Sequence, residues 1–351
     1  MDRLDVAIAG GGIMGLSTAL ELAAAGRKVT VFDRTEAMSE ASRAAAGMLA
    51  VDDPENPPEL HNLARYSLSL YPEFLARIEE LSGVRIPIRT TTTLQGVEHL
   101  PAGATELLPP QLQELAPGIN PNGWHFYLMQ ERSFDAWDLA EALPGAARAA
   151  GIHLLEQTPV LRVLNRADAV QIETPTGVFE AEAFLNATGA WSPVLDSALP
   201  VAPRKGHMLT AELPGPLQTE CVLRTPKVYI VPRGGNRYTI GPTLEDEGFN
   251  KAVHPERIQA LFEKAHDLWP VLTNAQVAET WVGLRPGSED DLPIIDTAGE
   301  RCWVATGHFK NGILLGPGTA RALSHWILGR QPEIDLAPFR AARFFPAAIS
   351  S

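Results

Sequence analysis

Apolar residues run unbroken from Val6 to Ala9, and the pattern then breaks at Gly10-Gly11-Gly12-Ile13-Met14-Gly15. A short, continuous apolar run ended by glycines predicts a strand buried on both faces. Leu16 to Ala25 has helix-forming composition, Gly26 stops it, and Lys28 to Phe32 predicts a second parallel strand closed by Asp33. A proline-rich break at 52–58 precedes a helix predicted over Leu60 to Leu81, where apolar residues recur three and four apart. From Val84 to Gln130 the pattern turns β-like and irregular, which marks the start of a second domain. Ser133 or Asp135 caps a helix that runs to about Ala150. Short strands are predicted at Val160 to Leu164, Ala169 to Glu173 and Val178 to Glu182, and Ala183 to Ser192 carries another strand into a second glycine turn.

The second domain resumes at Lys205 to Thr210, followed by a hairpin of Val228 to Val231 and Tyr238 to Ile240 around Gly234-Gly235-Asn236. A helix follows Pro255 to about Trp269, and the segment from Cys302 to Ile313 returns the chain to the first sheet. The first glycine cluster, with a strand before it, a helix after it and Asp33 at the end of the next strand, predicts a dinucleotide pocket. Gly10 permits the tight turn, Gly12 lets the backbone approach a pyrophosphate, and Gly15 lets helix pack closely on sheet. This motif leaves FAD and NAD both open. The small-residue stretch Ser42 to Leu49 reads equally as a flexible loop or short helix and as a wall beside a flat ring system. Strand-glycine elements recur near 189 and 307, a dispersion that suits a cofactor domain interrupted by substrate-domain insertions.

The chain of 351 residues is 45% hydrophobic, enough for two domains with a substantial core. Twenty-nine basic against 42 acidic residues leave a net charge of −13 without any dense basic stripe, which argues against nucleic acid and anionic membrane as partners. The two cysteines, Cys221 and Cys302, stand far apart outside any CxxC or Cys/His ligand spacing, so neither a disulfide framework nor a metal site is expected. The first strand is expected to start directly after Met1-Asp2-Arg3-Leu4, and the expected location is cytoplasmic, with no membrane span.

Gly10 to Gly15, Ala44 to Leu49, Tyr229 to Arg233, Gly283-Leu284-Arg285-Pro286-Gly287 and Gly307-His308-Phe309-Lys310-Asn311-Gly312, taken in this order, resemble the glycine oxidase family. That family belongs to the D-amino-acid oxidase group of flavoproteins, and the similarity spans nearly the whole chain. The resemblance implies an α/β fold in which an FAD-binding Rossmann-like domain (1–83, 132–196 and 294–351) carries an inserted α+β substrate domain (84–131 and 197–293) with a mixed or antiparallel sheet. It implies noncovalent FAD, a small amino acid substrate and oxygen as partners, and oxidative deamination of glycine, sarcosine or small D-amino acids with release of hydrogen peroxide. A link to assembly of the thiamine thiazole and a homotetramer are further implications.

Residue by residue, the resemblance assigns Arg285 to the substrate carboxylate, which a guanidinium clamps through two parallel hydrogen bonds. It places Tyr229 on the sheet side of the substrate, with Lys310, Leu244 and Met48 nearby. For the cofactor it assigns Gly10, Gly12, Ile13, Met14, Gly15, Asp33 and Arg34 to the ADP half, and Ser42, Ala45, Ala46, Gly47 and Met48 to the pyrophosphate and ring. Val160 would face adenine through its backbone, and Gly189 and Trp191 mark the second turn. His308, Lys310, Asn311, Gly312 and Ile313 close over the ring. The implied mechanism is hydride transfer from Cα of a bound, deprotonated amino acid to the flavin, without a side-chain base. The chain departs from the family pattern at Lys310 and Lys227, where arginine and histidine are expected, and at Leu244, where a methionine is expected; a lysine keeps charge but loses the fork of donors. A dehydrogenase of the same fold feeding a quinone or carrier, and a flavin-binding protein without turnover, are the alternatives.

Overall fold

The computed structural model describes residues 3–216 and 218–345. The first apolar run forms strand Leu4–Ala9, buried from Val6 onward, followed by helix Ile13–Ala24 and strand Val29–Phe32. Leu4–Ala9 lies inside an eight-stranded sheet, with Val29–Phe32 parallel on one side and Gly177–Asn186 parallel on the other. His153–Leu155 extends the sheet beyond Val29–Phe32, and Cys302–Thr306 and Ile294–Thr297 extend it beyond Gly177–Asn186.

Gly177–Asn186 is one strand where the pattern predicts two. Its first half pairs antiparallel with Val170–Thr174, its second half pairs parallel with Leu4–Ala9, and Ala181 faces Val170 on one side and Leu4 on the other. From Gly177 to Glu182 covered and exposed residues alternate, whereas Ala183 to Asn186 are all buried. An antiparallel ribbon leaves one face to water and a parallel sheet between helices leaves none, so the change of neighbours alters the hydrophobic period within a single strand.

Helices Ile13–Ala24, His61–Ser82, Ala136–Ala149 and Gly312–Ile327 share the largest core with this sheet. Asp135, not Ser133, caps the third of these, its carboxylate accepting from the Trp137 N–H at 3.0 Å. Pro317 lies inside the last helix and has no N–H to offer the Ile313 carbonyl one turn earlier. The buried Tyr71 hydroxyl donates to that carbonyl instead. Ser67 Oγ donates to Leu314 O at 2.6 Å and accepts from Gly318 N at 2.9 Å, so helix His61–Ser82 repairs the interrupted ladder.

The second sheet has seven strands in the order Gln276–Ser288, Val201–Glu212, Arg237–Gly241, Val228–Gly234, Val222–Thr225, Thr93–Val97 and His125–Met129. Only the Thr93–Val97 and Val222–Thr225 pair is parallel. Helix Pro255–Leu268 closes the core on its outer face, with Trp269 fully buried there. A three-stranded sheet joins the halves: Met48–Leu49 and Ile88–Thr90 flank Arg132–Phe134, so the stretch read as the start of a second domain first contributes a strand to this junction. Among the described residues no helix is long and apolar enough to cross a membrane.

Candidate active site

The cavity between the two large sheets has a volume of about 510 Å³. Its nucleotide wall starts at Gly10, whose φ of 103° and position leave no room for a side chain, since a Cβ there would stand 2.3 Å from Ala187 O. Gly12, Ile13 and Met14 line the cavity, but Gly15 does not; it lies under the turn, where a Cβ would fall 1.9 Å from Gly10 O. Helix Ile13–Ala24 begins without a side-chain cap from Gly12, and the Ile13 N–H donates to Ser42 Oγ at 3.0 Å. An open helix N-terminus at a glycine turn is a cradle for a pyrophosphate. Asp33 is fixed at the next strand end by the N–H groups of Gly11, at 2.6 Å, and Thr35, at 2.8 Å. Arg34 stacks over Trp191 at 3.6 Å and pairs with Glu40 at 2.7 Å. Val160, Gly189 and Trp191 complete this end.

Of the two readings of Ser42 to Leu49, both are realised in part: one helical turn, Ala41–Ala44, leads into Ala45, Ala46, Gly47 and Met48, all of which line the cavity. Trp281 Nε1 donates to Ala44 O at 3.1 Å and ties this segment to the second sheet. On the opposite side His308, Lys310, Asn311, Gly312 and Ile313 border the cavity. His308 is buried, which pulls its imidazole down to about 3 and keeps it neutral. Its Nε2 meets Thr319 Oγ1 at 3.2 Å, while Nδ1 is buried without a hydrogen-bond partner in the protein. A buried, unpaired ring nitrogen at a cavity wall fits a bound group that supplies the missing partner. The Gly10 cradle, the uncapped helix and this nitrogen together fit FAD.

The register of the second sheet brings its functional side chains into one row. Tyr127 pairs with Gln95, Gln95 with Arg224, Arg224 with Tyr229, and Tyr229 with Gly241; Met208 pairs with Trp281 on the adjoining strands. Gln95, Arg224, Tyr229 and Met208 all line the cavity. Arg285, four residues beyond Trp281 and so on the same face of its strand, reaches across the neighbouring strand, where a Cβ on Gly206 would stand 2.2 Å from its Nη1. Its hydrogen bond to the protein is from Nη1 to Thr243 O at 3.3 Å, and among the described residues it has no carboxylate within ion-pair distance. Burial lowers the guanidinium from its usual value, and the facing Tyr229 hydroxyl opposes that shift. Burial pushes the Tyr229 phenol up to about 12, so it remains a neutral donor.

Leu244 lies away from the position the resemblance implies, and Lys310 borders the cavity with its ammonium turned to the rim. Lys310 Nζ turns to Glu55 at 3.0 Å and Asp53 at 3.7 Å, and the neighbouring Asn311 Nδ2 donates to Asn56 at 3.0 Å, so both residues pin the 53–56 turn at the cavity rim. Leu244 is 62% exposed and does not line the cavity, because Glu245 pairs with Lys205 across the strand edge and turns the intervening side chain to the surface. Lys227 likewise sits in an exposed hairpin turn over Trp124.

The sequence reading missed Arg224, which is buried beside Glu131 at 3.0 Å and bonded to Gln95. Burial raises the Glu131 carboxyl, against the pull of Arg224. A usable signal was present: a two-residue turn at Pro226-Lys227 pairs Thr225 with Val228 and so sets Arg224 opposite Tyr229. Gly206, Met208 and Thr243 were also missed, since their relation to Arg285 depends on cross-strand packing.

Comparison with known proteins agrees with this geometry. A family model described as "FAD dependent oxidoreductase" (DAO) matches residues 5–326. The glycine oxidase of Geobacillus kaustophilus (strain HTA426) is 32% identical over 372 residues, covering 97% of each chain. The crystal structure of glycine oxidase from Geobacillus kaustophilus superposes with a TM-score of 0.91 at 31% identity, covering 98% of this chain and 99% of that one. The bifunctional protein ThiO/ThiG of Trichormus variabilis (strain ATCC 29413 / PCC 7937) is 35% identical over 364 residues, and these cover 97% of this chain; the chain spans about half of that relative's length, 55%. The chain therefore belongs to the DAO family of FAD-dependent oxidoreductases.

Proposed function

We propose that this protein oxidises glycine and other small amino acids or amines, among them sarcosine and small D-amino acids, with oxygen as acceptor. The products are the imine and hydrogen peroxide, and hydrolysis of the imine gives the 2-oxo acid with ammonia, or with methylamine where the substrate is sarcosine. The observation that carries this reading is Arg285, a half-buried cation without a carboxylate partner among the described residues, facing the same cavity as the glycine turn. Such a cation calls for an anion from outside. FAD, when bound, supplies the two-electron acceptor for the amine and hands the electrons on to oxygen.

The side chains divide the remaining work. Arg285 binds the substrate carboxylate, and Tyr229, neutral and adjacent, donates to the same group. Met208 and Met48 keep the space between them apolar, which favours a small substrate and excludes water. The cofactor-binding residues are those named on the nucleotide wall, with Gly15 acting through packing. Domain boundaries at 83/84, 131/132, 196/197 and 293/294, a homotetramer, a cytoplasmic location and supply of the imine to thiamine thiazole assembly complete the reading. Support for the last comes from the name of the ThiO/ThiG relative.

A substrate panel tests it: glycine, sarcosine, D-alanine and D-proline, with peroxide and the flavin spectrum followed together. Peroxide from glycine or sarcosine is the expected result. Bleaching without peroxide in air assigns the protein to the dehydrogenases, and no bleaching by any of the four overturns the amine substrate class.

A further inference from the structure

Arg285 is held from behind by a polar assembly that does not touch the cavity. Strand Val201–Glu212 alternates its faces, so Gly206 and Met208 look into the cavity while Lys205, His207 and Leu209 point to the far side, under helix Pro255–Leu268. Beyond Gly241 the chain stays beside this strand: Lys205 and Glu245 exchange both backbone hydrogen bonds, at 2.9 and 3.0 Å. Thr243 lies between these anchors, and its carbonyl is the acceptor of the Arg285 hydrogen bond.

His207 fixes Thr243 three times. Its backbone N–H donates to Thr243 Oγ1 at 2.7 Å, its carbonyl accepts from Thr243 N at 3.3 Å, and its ring Nδ1 meets Thr243 Oγ1 at 3.2 Å. Ring Nε2 accepts from the backbone N–H of His254, the residue that precedes helix Pro255–Leu268, at 3.0 Å. An Nε2 that accepts carries no proton, so the neutral ring has its hydrogen on Nδ1, where Thr243 Oγ1 and the Glu245 carboxylate, 3.2 Å away, can receive it. The other charges around the ring are Lys205, paired with Glu247 at 2.7 Å, and Arg257, 3.7 Å from Glu245. The His207 and Lys205 side chains are fully buried.

We infer that His207 and Thr243 are positioning residues for the Arg285 guanidinium, setting the carbonyl that aims it at a carboxylate ligand. The inference rests on the proposal that Arg285 binds the substrate carboxylate. A guanidinium presents a rigid planar fork, and a carboxylate engages both prongs only in one plane. The Thr243 carbonyl occupies one N–H edge and thereby defines that plane. Loss of the His207 ring contacts frees Thr243 on the cavity-remote side, while the side chains of His207 and Thr243 themselves stay outside the cavity lining.

The test titrates FAD-loaded protein with glycolate, read by the flavin absorbance, and compares glycine KM and kcat. Thr243→Val keeps volume but loses the hydroxyl; glycolate affinity should fall about fivefold, the scale of one hydrogen bond, and glycine KM should rise in parallel with little change in kcat. Thr243→Ser should restore both. His207→Gln keeps an acceptor for His254 N and loses the Nδ1 contact, whereas His207→Asn does the reverse. Both will lower thermal stability, but only His207→Gln should weaken glycolate. Equal weakening by the two His207 variants, or wild-type affinity in Thr243→Val, overturns the positioning role. Arg285→Ala separates the two levels: if it binds glycolate normally, the carboxylate role of Arg285 fails and this inference goes with it.

Discussion

Along the nucleotide wall of the cavity, a ligand meets backbone and small side chains: Gly10 and Gly12 to Met14, Ala45 to Met48, and Gly312 with Ile313. Along the sheet wall it meets the guanidiniums of Arg285 and Arg224, the Tyr229 phenol and the Met208 thioether. The first wall is sensitive to an added methyl group and the second to a removed functional group. Backbone placement follows from turn geometry, which local sequence dictates, whereas the reach of long side chains follows from which strands lie next to each other. A substitution on one wall should therefore damage one ligand and spare the other.

Arg285→Ala should separate the walls most cleanly. Removing the cation that pairs with a bound carboxylate costs about 2–5 kcal/mol, so glycine KM should rise by roughly 30-fold or more while the flavin spectrum and FAD content stay unchanged. Loss of FAD in that variant would break the comparison. The converse is Gly15→Ala, whose Cβ would need the Gly10 carbonyl to move. Overpacking of this kind costs about 1–3 kcal/mol, and we expect a larger apoprotein fraction and a lower Tm, with glycine KM of the FAD-loaded fraction near wild type.

His308 gives a pH-dependent version of the contrast. Its imidazole is held near 3 by burial, against 6.5 for an ordinary one, so below pH 6.5 the unfolded chain takes up a proton that the folded chain refuses. Stability therefore falls as pH drops from 6.5 toward 3, by up to about 2 kcal/mol between pH 7 and 5. His308→Gln should reduce that slope, measured as the difference in Tm between the two pH values; an unchanged slope refutes the burial argument. The smallest effect is expected from Lys310→Ala, because the ion pairs it removes join partly exposed groups worth less than about 1 kcal/mol. Its kcat/KM for glycine should change less than fivefold, and a loss near that of Arg285→Ala would return Lys310 to the substrate.

Much of this architecture was legible in the sequence for reasons the comparison makes plain. The first strand, the glycine turn, the second strand and the long helix at 61–82 announce themselves through local period and punctuation. The hairpin at 228–241 does so through its glycine and asparagine turn. Strand Val222–Thr225 did not, because it is four residues long and defined by its neighbours Thr93–Val97 and Val228–Gly234. Arg224 stayed hidden with it. The resemblance sets Leu244 near the substrate, whereas the Lys205–Glu245 pairing turns it outward. The acceptor of Arg285, a backbone carbonyl 42 positions away, leaves no trace in residue type at all.

The strand that changes partners at Ala181 has a consequence for how the molecule comes into being. Its hairpin half closes over neighbouring residues, but its other half must find Leu4–Ala9, with Val6 and Ala183 separated by 177 positions. Non-local pairing of this kind is slow, since loop-closure entropy precedes any contact energy. The glycine turn packs at Gly10 against Ala187, just past strand Gly177–Asn186, and the far wall at His308 to Ile313 comes from later still in the chain. The cofactor pocket is therefore complete only when segments from both ends of the chain lie side by side.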